Sequence, residues 1–157
     1  MDYYLALKYA HIIGATLLFG TGLGTAFHMW FSHLSGDPRA IAVAGRNAVL
    51  ADWLFTAPSV VLQPVTGVLM AIEGGHPLTG FWILASLGLY ALTGACWLPV
   101  VWLQMRMATL AREAAVSGRR ELPPLYYRYA RYWFRLGWPA FISVLLIFYL
   151  MIFKPSL

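Results

Sequence analysis

Acidic side chains are scarce in this sequence, with six Asp and Glu against eleven Lys and Arg in 157 residues. Charged residues make up only 11 % of the chain, where a soluble globular protein holds about a quarter. That excludes a water-facing surface over most of its length. Cysteine is nearly absent too. The single Cys96 lies inside an apolar run, which excludes a disulfide framework and a CxxC metal site. The chain has no glycine-rich phosphate loop, no H-E-x-x-H, no hydrolase nucleophile elbow, no internal repeat and no low-complexity tract. Its net charge of +5 is no nucleic-acid footprint, because the arginines gather at the ends of apolar runs, as topology signals do.

What the chain does have is apolar surface. Hydrophobic residues make up 61 % of it and the mean hydropathy is +0.68, the composition of a polytopic membrane protein whose first partner is the lipid bilayer. We read 1–157 as one integral membrane domain of the all-α class, a four-transmembrane-helix bundle with helices at about 3–31, 48–73, 80–115 and 125–153. Each holds the roughly 20 apolar residues that a hydrocarbon core of about 30 Å demands. The first run lacks a basic n-region and an A-x-A cleavage site, so it reads as a retained helix. Within it Gly20, Gly22 and Gly24 alternate, which would allow close approach of a neighbour or a flat ligand. Ser32–Arg46 reads as a loop, with Gly36-Asp37-Pro38 as a turn and candidate helix start.

The first and third connections carry most of the arginines, whereas the second, around Gly74-Gly75-His76-Pro77, carries none. The positive-inside rule then places the Arg-rich connections in the cytoplasm and both termini outside, in a bacterial inner membrane.

The second helix has an unusual pattern. Asp52, Thr56, Ser59, Gln63, Thr66 and Glu73 are separated by steps of four, three, four, three and seven. At about 100° per residue they share one face, an arc of about 100°. Ser86, Tyr90, Thr93, Trp97 and Gln104 form a second such seam on the third helix. Lipid has no use for these groups, so the two seams are expected to face each other as walls of a polar interior. Pro58 and Pro64 each delete a backbone hydrogen bond and free a carbonyl one turn earlier.

His11 lies a turn or two inside the first helix, where an imidazole needs a partner. It reads either as an interhelical hydrogen-bonding residue or as the axial ligand of a membrane haem b. His76, in the turn on the same side, would be a second ligand. His28 is too far along the helix, about 25 Å away, to share a metal with His11. Gln63 and Gln104 would hold either a proline-freed carbonyl or a polar group of a ligand. Thr66 and Trp97 would line the same pocket, with Trp97 as a stacking surface. Asp52 reads as a proton or cation site, or as a helix-start acid paired with Arg46 or an arginine of the fourth helix. Trp53, Trp82, Trp102, Trp133 and Trp138 read as interface anchors.

L-K-Y-A-H-I-I-G-A-T, A-D-W-L-F-T-A-P-S-V-V-L-Q-P-V-T-G, A-C-W-L-P-V-V-W-L-Q-M-R-M and F-R-L-G-W-P-A-F together resemble a bacterial family of four-helix integral membrane proteins known as a domain of unknown function. More distantly, L-K-x-x-H-I is similar to the start of the HemJ-type haem-containing protoporphyrinogen oxidases and of copper-resistance D membrane domains. In the oxidases the residue matching His11 is a haem ligand, so the resemblance implies haem b there. Those oxidases carry Pro-Arg-Leu at the far end of helix one, where this chain reads T-A-F-H-M-W. They also carry a Lys four residues after a Trp as helix three begins, where Trp82 is followed by Ser86.

Three functions stay open at this level. The first is a small b-type redox or electron-transfer protein, a membrane oxidoreductase if an enzyme. It would use His11, Gln63, Thr66, Trp97 and His76 and exchange electrons with a quinol and a partner protein, with a homodimer as an open option. The second is a non-enzymatic membrane subunit or assembly factor whose polar faces only join helices. The third is a small-molecule or metal permease.

Overall fold

The first helix, α1, spans Tyr3–Ser35. It starts where the Asp2 side chain accepts the Tyr4 N–H at 3.2 Å and stops at Gly36, whose φ of 67° suits a residue without a Cβ. In this two-residue break Asp37 caps the next helix, accepting the Arg39 N–H at 2.9 Å, and Pro38 takes its first position. The stretch read as a loop is therefore mostly helix α2, Pro38–Ala51. In the computed structural model, which describes residues 2–155, α2 runs through a π-helical turn, Asp52–Thr56, into α3, Ala57–Glu73. Helices α4, Phe81–Val116, and α5, Pro124–Phe153, complete the chain. No strand occurs among the described residues.

Four continuous helical stretches, α1, α2 through α3, α4 and α5, are long and apolar enough to cross a membrane. The expected all-α, four-span architecture holds. The π-helical turn has a local cause. Pro58 offers no N–H to the Leu54 carbonyl and its ring crowds that oxygen. The wider turn makes room, and the Ala57 N–H reaches back five residues to the Asp52 carbonyl.

The helices exceed the bilayer. α4 has 36 residues, about 54 Å at 1.5 Å per residue, against about 30 Å of hydrocarbon. The excess lies at the Arg-rich end, and there the apolar core sits. Ile41 and Ala48 of α2 pack with Met107, Ala111 and Ala114 of α4, and Tyr126 and Ala130 of α5 join them. Tyr126 is fully buried, and its hydroxyl pairs with His33 Nδ1 at 3.1 Å. Toward the termini the helices instead meet through a few polar bonds, and their outward side chains are left to lipid.

α1 packs on α2 and α3, α4 packs on α5, and α2 joins the two pairs through α4. Between α1 and α5 the contact is made by rings. Phe19 stacks on Phe141 at 5.5 Å and meets Phe148 edge-on at 5.4 Å, and Trp30 stacks on Phe134 at 4.8 Å. The alternating glycines do not bring a helix close. A Cβ at Gly20, Gly22 or Gly24 would meet nothing within 4 Å.

Candidate functional site

Two polar clusters occupy the seam of the second span. Nearer the termini, His11 Nδ1 lies 2.8 Å from Thr66 Oγ1. The Thr66 hydroxyl donates to the Leu62 carbonyl at 2.6 Å, so it accepts from His11, whose proton is then on Nδ1. That leaves the Nε2 lone pair unused by Thr66. Gln63 Nε2 donates to the His11 carbonyl at 2.9 Å. It reaches α1 because Gly14 has no side chain; a Cβ there would sit 2.5 Å from the Gln63 nitrogen.

Gln63 thus does not meet a proline-freed carbonyl, since the His11 carbonyl is not one. Of the carbonyls freed by Pro58 and Pro64, that of Val60 is met by the Tyr90 hydroxyl of α4. The sequence offered a signal for this. Tyr90 was on the right face, and Val60 is the residue one turn before Pro64.

His76 does not join His11. Its Nε2 lies 3.3 Å from Lys154 Nζ and its ring meets Trp82 edge-on at 5.5 Å. Along α3, His11 packs at Gly67 and His76 at Gly74, seven residues or about 10 Å apart. Each ring is engaged by its own partner, His11 by Thr66 and His76 by Lys154. His28 is exposed. Among the described residues no three His, Cys, Asp or Glu side chains gather as a metal site.

The second cluster lies at the π-helical turn. Asp52 is 4 % exposed. Its carboxyl accepts from the Thr56 hydroxyl at 3.0 Å and from Gln104 Nε2 at 3.3 Å. Both partners are neutral, and Arg46 is exposed; Asp52 is held instead by one hydrogen bond within its own seam and one from the other. The seams therefore do face each other, at Asp52–Gln104 and at Val60–Tyr90.

Beside this cluster is a cavity of about 380 Å³ between α1, the π-helical turn, α4 and α5. Asp52, Thr56, Thr93 and Gln104 form its polar side; Phe19, Trp30, Trp97, Trp133, Phe134 and Phe141 supply rings. Trp97 and Asp52 line this cavity together, and His11 is not among its lining residues. Trp133 is not an interface anchor. It is 9 % exposed, and its indole N–H has no partner among the described residues. The small residues Ala130, Gly137 and Ala140 at helical steps from Trp133 mark this face of α5. The cavity's rim holds Leu23, Phe27 and Trp138, all well exposed, so it opens between α1 and α5 toward lipid.

Neither a curated protein nor a solved structure matches the chain. A family model described as "Predicted integral membrane protein (DUF2269)" matches residues 5–155, and the chain belongs to that family.

Proposed function

We propose that this integral membrane protein binds an amphipathic, membrane-dissolved small molecule that enters sideways between α1 and α5. The observation that carries this is the ring-lined cavity with the buried Asp52–Gln104–Thr56 cluster on its wall. An apolar enclosure of a few hundred Å³ with a few convergent polar groups is the usual form of a small-ligand site. Gly22 and Gly137 line it, and a Cβ at either meets nothing within 4 Å, so Gly22→Leu and Gly137→Phe are chosen to extend side chains into it. Both variants are expected to keep the thermal midpoint of the ligand-free protein and to abolish saturable binding of an alkyl-tailed ring compound in nanodiscs. Binding unaffected by either filler would overturn the reading.

A second reading rests on His11. A haem-ligating histidine holds its other ring nitrogen in a hydrogen bond that fixes its orientation, and the Thr66 bond supports that role. His11 Nε2 would hold the iron of haem b, which would supply one-electron redox chemistry, while Thr66 and Gln63 fix the imidazole and its helix. The donor set fits a single protein ligand per chain, since His76 is held elsewhere. A Soret band in the haem-supplemented protein that His11→Ala removes is the expected result; no band in the wild type would sink it.

The orientation belongs to the same proposal. Arg39, Arg106, Arg112, Arg119 and Arg120 gather at one end, which the positive-inside rule puts in the cytoplasm of a bacterial inner membrane, with the termini outside. In a Cys96→Ala background, a cysteine at Thr79 should react with an impermeant maleimide in intact cells and one at Ser117 should not. The reverse pattern would invert the topology.

A further inference from the structure

The polar wall of the cavity has a direction. Thr25 Oγ1 donates to the Thr21 carbonyl at 2.8 Å, Thr93 Oγ1 to the Leu89 carbonyl at 2.9 Å, and Thr56 Oγ1 to Asp52 Oδ1 at 3.0 Å. Each hydroxyl has given its proton to its own helix, so toward a ligand it can act only as an acceptor. Both Asp52 oxygens already act as acceptors and retain further lone pairs. Against these acceptors the wall offers one donor, the second amide proton of Gln104, because the Trp133 indole nitrogen, which has no partner among the described residues, is itself sealed from the space. The wall accepts more hydrogen bonds than it can donate.

A ligand head group that fits must therefore donate, and it can accept from Gln104. A hydroxyl does both. A carbonyl or ether oxygen can meet Gln104 but leaves the oxygens of Asp52 and the threonines dry and unpaired, which is costly in an apolar enclosure. The rings of Trp97, Trp133, Phe134 and Phe141 flank the same space and favour a flat aromatic ligand over an aliphatic one. The open side between α1 and α5 leaves an apolar tail in lipid.

We propose that the cavity selects a phenol or quinol ring carrying an apolar tail, in preference to the corresponding quinone or ether. This rests on the cavity reading above and assigns the ligand class to it. The selection is for the hydrogen-bonding state of the head group, so the reduced form of a lipid-soluble ring is held and the oxidised form is released.

The test uses the full-length protein in nanodiscs with a tritiated decyl-tailed hydroquinone kept reduced. Competitors are the unlabelled hydroquinone, its quinone, its dimethyl ether and n-decanol. The hydroquinone should compete at least about tenfold better than each of the others, the scale of one unmade buried hydrogen bond. Asp52→Asn should bring the hydroquinone-to-quinone ratio toward one. If that variant does not fold, Thr93→Val, which removes one acceptor from the wall, should lower the ratio instead. Equal competition by quinone and hydroquinone would overturn the inference and leave the cavity reading standing. Decanol competing as well as the hydroquinone would overturn the ring requirement. Binding that Gly137→Phe does not abolish would overturn both proposals, and an unchanged ratio in the folded variants would overturn the role given to Asp52 and Thr93.

Discussion

Gly45 shows how closely two of these helices meet. A Cβ on it would lie 2.8 Å from Ala108 Cβ and 3.2 Å from Ala108 Cα, and backbone cannot yield as the end of a side chain can. Gly45→Ala should therefore lower stability by about 1–3 kcal/mol, as overpacking does, read as a reduced thermal midpoint in detergent. Gly20→Ala, in open space, should leave the midpoint unchanged. The sequence did not expose Gly45, because the surrounding residues were read as a loop and nothing local marks a neighbour about sixty residues on. His11, Gln63 and Thr66 were legible, since polar groups inside an apolar helix must find partners. Which partners they found was not, because that depends on how α1 sits against α3.

At the level of elements, the polar face of the second span was readable from spacing alone and survives the π-helical turn. Side chains four apart stay neighbours there, as the Thr56–Asp52 bond shows. The turn itself escaped the periodicity for the same reason, and Pro58 was its one local sign. Proline chemistry also explains the link from α3 to α4. Pro64 frees the Val60 carbonyl, and Tyr90 meets it. Tyr90→Phe should cost about 1–3 kcal/mol, the penalty of an unsatisfied buried acceptor. Adding Pro64→Ala should recover much of that loss, because an alanine at this position supplies the missing N–H. Additive destabilisation in the double variant, by chemical or thermal unfolding in detergent, would contradict this account of the bond.

For the whole molecule, composition and run length were enough to give four membrane-spanning helices without strands. They could not give the place of the core, which lies where α2, α4 and α5 run beyond the bilayer at the Arg-rich end. Nor could they give the cavity, a space between α1 and α5 that arises because each packs mainly against other partners. Trp133 was misread on depth alone, since the small residues that open its face matter only once α5 meets α4. The central claim, that this space holds a membrane-dissolved ligand, is tested most directly by native mass spectrometry of protein extracted gently from its own membrane. The wild type should carry a bound species of small-molecule mass that is missing from Gly137→Phe prepared in the same way. An identical spectrum of bound species in the two proteins would contradict the account.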